Sequence, residues 1–233
     1  MFNNEYREFF NMLNSSLLFN ELKTKGVDTT MSSVIIDGVV GCGKSSMVEI
    51  LKEELGYQPY YEPVDNNPIL NKFYYDRARW SFPLQVFFLN KRFAMVKDAE
   101  RINNSLMDRS IYGDIIFAKM LSQSGEMSEE EYSLYKELAG NMFEHLKRPK
   151  LMVYLQNSVD EVINKIDKRG RDFEKVVERG YWENLNKEYA EYFNEYNLSP
   201  LLTINIDGLD FVGNKEDRDY VVGLIKDKLK EIG

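Results

Sequence analysis

Short runs of apolar, often β-branched residues recur along the chain, separated by longer stretches with helical periodicity. The runs are Ser33–Asp37, Pro59–Tyr61, Ser105–Met107, Leu151–Leu155 and Leu202–Ile206, each too short for a buried helix. Between them lie helical segments such as Ser45–Leu55, the stretch from Val159, and Tyr181–Tyr196. Strands alternating with helices predict an α/β domain built on an open five-stranded parallel sheet flanked by helices. Crossover helices cover both faces of such a sheet, so its strands are apolar on both sides, as LMVYL and LLTINI are. Ahead of the first strand, Phe9, Phe10, Leu13, Leu17 and Leu18 fall at roughly helical spacing. They predict a helical extension and linker over residues 1–30, packing on the core or on a partner subunit, before one domain over 31–233.

Composition narrows this picture. With 233 residues, 43% of them hydrophobic, the chain can bury one substantial core and is short for two domains. A net charge of −8 argues against the broad basic face that gripping a nucleic acid polymer requires. A lone cysteine, Cys42, forms no internal disulfide, which fits a reducing, cytoplasmic setting or simply a fold that needs no staple. The first residues carry acids and amides rather than a basic stretch followed by an apolar one, so neither a signal peptide nor a membrane span is expected. The glycosylation-like tripeptides at Asn14 and Asn103 therefore carry no weight.

Gly38-Val-Val-Gly41-Cys42-Gly43-Lys44-Ser45 matches G-x-x-x-x-G-K-[ST] and sits between a predicted strand and a predicted helix. Glycines allow backbone N–H groups to converge on phosphate oxygens, and the following helix N-terminus adds partial positive charge. Lys44 reaches the outer phosphates, Ser45 holds Mg²⁺, and Ser46 follows on the same turn. Cys42 belongs to the loop, with no chemistry assigned to its thiol. Such a loop serves a kinase for a small acceptor, a GTPase or a nucleotide sensor alike. Asn214-Lys-Glu-Asp217 and Asp167-Lys-Arg-Gly170 spell GTPase motifs, but the first opens a helix and the second ends one, where the motifs should leave strands.

The second strand runs into Tyr61-Glu62-Pro63, which sets a carboxylate at the sheet edge where ligands bind in open α/β folds. A hydroxyl needs a base near its proton, whereas an anionic monophosphate would be repelled, so Glu62 favours an alcohol acceptor. After the third strand, Asp108-Arg109 pairs an acid for Mg²⁺ with a cation for the transferring phosphate. Further on, Lys165, Lys168, Arg169 and Arg171 gather around Gly170 as a lid over ATP would. Phe82 and Phe87 are read as packing, and His145, near a helix end, is given no catalytic part.

GVVGCGKSS, YYEPVDNNP, FYYDRARWSFPLQVFFLNKR, DRSIYGD and KRGRDFE, in that order, resemble the deoxynucleoside kinase family, its bacterial members above all, from about Ser32 to the C-terminus. The resemblance implies a P-loop fold with a small arginine-rich lid over about 165–180, a homodimer, and transfer from ATP to the 5′-hydroxyl of deoxyadenosine, deoxyguanosine or deoxycytidine. It makes Glu62 the general base and a magnesium neighbour with Ser45 and Asp108, and Arg109 the group that orients the hydroxyl. Gln85 and Asp114 would bind the base with Arg92 nearby, between walls of Trp80, Phe88 and Phe117. Tyr74 and Glu174 would hold the sugar 3′-hydroxyl, Arg169 and Arg171 would serve as lid arginines, and Asp210 and Phe211 would face the donor base. Asp108 stands where the family often has Glu, and Phe173 among lid positions that are polar in some members. A deoxynucleoside monophosphate kinase and a non-catalytic nucleotide sensor are the competing readings.

Overall fold

A computed structural model of the chain describes residues 5–26, 28–64, 67–170 and 177–233. The strands are β1 (Thr30–Asp37), β2 (Gln58–Tyr60), β3 (Ser105–Asp108), β4 (Arg148–Gln156) and β5 (Leu201–Asn205). They form a single sheet in the order β2-β3-β1-β4-β5, with every pairing parallel. All five apolar runs become strands, with ends shifted by a few residues. Central β1 is covered on both faces, and Val34, Ile35 and Ile36 are wholly buried. Its register with β4 slips between Met31 and Val34, beside Pro149, which has no N–H to donate.

The helices preceding β3 are α1 (Glu5–Ser15), α2 (Leu17–Thr24), α3 (Lys44–Leu55), α4 (Leu70–Tyr75) and α5 (Arg77–Ala99). Those after it are α6 (Asp114–Gln123), α7 (Glu129–Phe143), α8 (Val159–Arg169), α9 (Arg179–Glu195) and α10 (Lys215–Glu231). Asp76 caps α5 by accepting from the Arg79 N–H at 3.2 Å, and the helix continues through Pro83. Asp167 lies inside α8, and Asn214 caps α10 by accepting from the Glu216 N–H at 2.8 Å. Neither can serve a GTPase motif. Among the described residues, no helix is long and apolar enough to cross a membrane.

Tyr6, Phe9, Phe10 and Leu13 of α1 belong to the same core as the strands. Phe10 packs on Tyr192 of α9 and on Tyr196 just past its end, with ring centroids 5.0 and 5.5 Å apart, and Phe9 meets Phe143 edge-on. The side chains of Leu17 and Leu18 are outside the described set. Under α1, Glu188 Oε2 accepts from the Tyr6 hydroxyl at 2.7 Å and from Lys119 Nζ at 2.6 Å. Lys119 Nζ also stands 3.9 Å from the Tyr6 ring centre, so this buried cation is met on two sides.

Candidate active site

The strands β1, β2 and β3 end at one edge of the sheet, at the point where the strand order reverses, and the chemistry-bearing residues leave from those ends. After β1 the chain turns sharply into α3. A Cβ at Gly38 would lie 2.5 Å from the Leu155 carbonyl oxygen, and one at Gly43, whose φ is 94°, would lie 2.7 Å from the Phe211 ring. Only glycine fits at either position. Lys44 Nζ donates to the carbonyls of Gly38 and Val39 at 2.9 and 2.8 Å, which places the ammonium within the loop's curve.

Asp37, the last residue of β1, fastens this loop to the turn after β3. Its Oδ1 accepts from the Gly38 N–H at 2.7 Å, and its Oδ2 accepts from the Ser110 N–H at 3.0 Å. Beside it, the Ser45 hydroxyl donates to Asp108 Oδ2, while Asp108 Oδ1 is buried without a partner. Burial raises the Asp108 carboxyl pKa against the pull of Lys44. A hydroxyl and a free carboxylate oxygen next to a phosphate loop are hard oxygen donors of the kind Mg²⁺ takes. The residues fit that ion.

Glu62 follows β2 and stands between two guanidiniums. Arg109 Nε lies 3.0 Å from its Oε1, and Arg92 Nη2 donates to the same oxygen. Burial pushes the Glu62 carboxyl pKa up, but Arg109, Arg92 and Lys44 together outweigh it and hold the group at about 2. Arg92 also reaches Asp114 Oδ1 at 2.6 Å and lies 4.8 Å from the Phe88 ring centre. Asp114 is pushed up to about 7 by burial, which prevails over Arg92 and Arg109, and its Oδ2 is buried without a partner. Arg109 lies 4.9 Å from the Phe117 ring centre and donates from Nη1 to the Tyr189 hydroxyl.

These groups line a cavity of about 540 Å³. Gly41, Gly43, Lys44, Ser45 and Ser46 form its phosphate-loop side, with Lys165 and Arg169 of α8 above it. Tyr74 comes from α4, while Gln85, Phe88 and Arg92 come from one stripe of α5 at i, i+3 and i+7; Asp114 and Phe117 come from α6. Trp80 stands outside the lining, one turn N-terminal of Leu84, with Lys72 and Arg79 against its ring at 4.7 and 5.4 Å. Gly38 and Cys42 are buried within the loop and do not line the cavity, and burial raises the Cys42 thiol pKa. Phe211 packs on Gly43, and the exposed Asp210 accepts from the Gly213 N–H at 2.9 Å; neither lines the cavity. Arg171, Phe173 and Glu174 lie outside the described residues. Three contributors were not singled out from sequence. Asp37 offered one signal, an acid ending an apolar strand; Tyr181, which lines the cavity, and Tyr189 looked like ordinary helix aromatics.

A parallel sheet that delivers a phosphate loop, a carboxylate and an arginine to one cavity defines a P-loop phosphotransferase. Residues 34–230 match the sequence model described as Deoxynucleoside kinase, and the chain belongs to the deoxynucleoside kinase family. It is an ATP-dependent kinase of deoxynucleosides, as its motifs led us to expect. The chain is 40% identical over 212 residues to a deoxyguanosine kinase of Lactobacillus johnsonii, covering 87% of this chain and 95% of the relative. It is 40% identical over 209 residues to a deoxyadenosine kinase of Lactobacillus acidophilus, covering 86% and 97%. Among solved structures, a deoxyadenosine kinase from M. mycoides with dCMP and a flexible dCDP bound superposes with a TM-score of 0.76, at 29% identity, over 84% of this chain and 99% of that one.

Proposed function

We propose that the chain transfers the γ-phosphate of ATP to the 5′-hydroxyl of deoxyadenosine, deoxyguanosine or deoxycytidine, with Glu62 receiving the hydroxyl proton. The observation that carries this reading is the Glu62 carboxylate, held anionic between Arg92 and Arg109 on the cavity wall. A neutral hydroxyl can approach such a carboxylate, whereas a monophosphate brings like charge towards it. The transferring phosphoryl passes through a loose transition state, which demands little deprotonation of the nucleophile before transfer. A carboxylate held at about 2 can therefore align the hydroxyl first and take its proton late. Drawing it away from either guanidinium raises its proton affinity at that moment.

On the donor side, Lys44 exchanges loop carbonyls for phosphate oxygens, and Arg169 with Lys165 meets the charge that spreads during transfer. Arg171 completes the lid in this proposal, and the 207–211 loop faces the donor base. Ser45 and Asp108, with Glu62 near, would hold Mg²⁺, which would offset phosphate charge. In the acceptor pocket, Gln85 and the unpaired Asp114 Oδ2 would bind the base between Phe88 and Phe117, and Tyr74 with Glu174 the sugar 3′-hydroxyl. The relatives named for guanine and adenine nucleosides, and a deoxyadenosine kinase holding dCMP, support a pocket that accepts more than one base. Homodimerisation and a cytoplasmic location belong to the proposal; the buried free thiol of Cys42 suits a reducing compartment.

A panel of the four deoxynucleosides and their 5′-monophosphates, each with ATP and Mg²⁺, tests this reading. Turnover of deoxyadenosine, deoxyguanosine or deoxycytidine is expected, and turnover of monophosphates alone would overturn it.

A further inference from the structure

Arg109 enters the cavity from a left-handed backbone position, φ 80°, one residue past β3. A side chain on such a turn has no helical or strand neighbours to direct it, so contacts must. Glu62 supplies one at Nε, but in the proposed reaction Glu62 turns to the substrate hydroxyl. The Phe117 face supplies another, and a ring face tolerates sliding. The contact that can persist through transfer is the Tyr189 hydroxyl at Nη1.

Tyr189 is itself fixed. It is wholly buried, edge-on to Phe117 at 6.1 Å and nearly parallel to Tyr154 at 6.4 Å. Its hydroxyl donates towards Asp37 Oδ1 at 3.5 Å, and the same oxygen accepts from the Gly38 N–H of the phosphate loop. Burial lifts the phenol pKa well above its usual value, so the group keeps the proton it donates. Its neighbour Glu188 ties α9 to Lys119 of α6 and Tyr6 of α1.

We propose that Tyr189 is a positioning residue for phosphoryl transfer: it holds the Arg109 guanidinium in register with the phosphate loop, through Asp37, while Glu62 engages the hydroxyl. This rests on Arg109 acting at the transferring phosphoryl group. Tyr189 does not line the cavity, so it acts through Arg109 rather than on substrate. It also gives α1 a purpose, since the helix that α1 clamps is the one that carries Tyr189.

The test compares Tyr189→Phe, Arg109→Lys, their combination, and Tyr192→Phe. Tyr192 is a control on the same helix, with a buried hydroxyl that has no hydrogen-bond partner. Loss of one hydrogen bond to a charged group predicts that Tyr189→Phe lowers kcat by about 10- to 100-fold, with KM for ATP and nucleoside within about threefold. Tyr192→Phe should leave kcat unchanged, and Arg109→Lys should cost less in the Tyr189→Phe background than alone. Equal losses in the two tyrosine variants, or additive losses in the double variant, would overturn the positioning role. Normal turnover by Arg109→Lys alone would overturn the reading of Arg109 beneath it; slow Arg109→Lys with normal Tyr189→Phe would overturn only the role of Tyr189.

Discussion

Glu62→Gln keeps the side chain's shape and removes its charge. The amide oxygen still accepts from Arg92 Nη2, but it cannot take a proton from the 5′-hydroxyl. Positioned general bases contribute about 10²- to 10⁴-fold, which corresponds to about 3–5 kcal/mol of barrier. The substitution also withdraws a negative charge 3.0 Å from Arg109 Nε. Breaking a fully buried pair costs about 3–5 kcal/mol. Here the loss is smaller, because Glu62 is 19% exposed, Arg92 keeps Asp114 and Arg109 keeps Tyr189. A destabilisation of about 1–3 kcal/mol is expected, small enough for the domain to stay folded. The assay measures initial rates at saturating ATP and nucleoside, with ATP affinity measured separately by calorimetry. The expected outcome is kcat down at least about 100-fold, with ATP affinity within about threefold. A kcat within about threefold of the wild type would refute the assignment. The sign of the pH effect agrees with this assay at neutral pH. A carboxyl lowered from 4.5 to about 2 contributes stability that is fully present above 4.5 and is lost progressively as pH falls from there through about 2.

Asp114 gives the opposite slope. Raised from 3.8 to about 7, it keeps its proton in the folded chain after the unfolded chain has lost it, so stability falls as pH rises from about 4 to about 7. Asp114→Asn should flatten the Tm–pH curve over that window and raise the nucleoside KM; an unchanged slope would sink the assignment. Ser45→Ala removes the hydroxyl beside Asp108 and should raise the Mg²⁺ concentration for half-maximal rate by about tenfold, read from a Mg²⁺ titration of the rate. Gly43→Ala drives a Cβ to 2.7 Å from the Phe211 ring at φ 94°, and should lower Tm and weaken ATP binding together; unaltered ATP affinity would show that the loop tolerates the change.

The donor half of the site was legible in the sequence because it is local. A strand, the loop from Gly38 to Ser45 and a helix are contiguous, and each glycine answers to a backbone requirement that a pattern can encode. The strands were legible for a similar reason, since burial on both faces leaves unbroken apolar runs. Within α5, the stripe Gln85, Phe88, Arg92 is periodic, but periodicity alone does not say where a stripe stops facing the cavity. Trp80, one turn before Leu84, marks that limit, and only the packing of α5 reveals it.

The acceptor half depends on contacts between distant residues. Glu62, Arg92, Arg109 and Asp114 come from four segments; against burial, Arg109 and Arg92 help hold the Glu62 carboxyl low, and the same two arginines oppose the burial that raises Asp114. Arg92 touches both Asp114, proposed to read the base, and Glu62, proposed to take the proton. A ligand that draws Asp114 towards its base therefore changes the partner that holds Glu62 low. In the proposed reaction, base recognition and proton acceptance would be coupled through a single guanidinium, which no motif containing only one of them can show. Two kinds of arginine share this cavity. Arg92 is held by Glu62 and Asp114, both proposed to engage the substrate, whereas Arg109 has the Tyr189 hydroxyl, which donates towards Asp37 and does not line the cavity. In the proposed reaction the first would respond to the nucleoside, and the second would stay in place while the phosphoryl group passes.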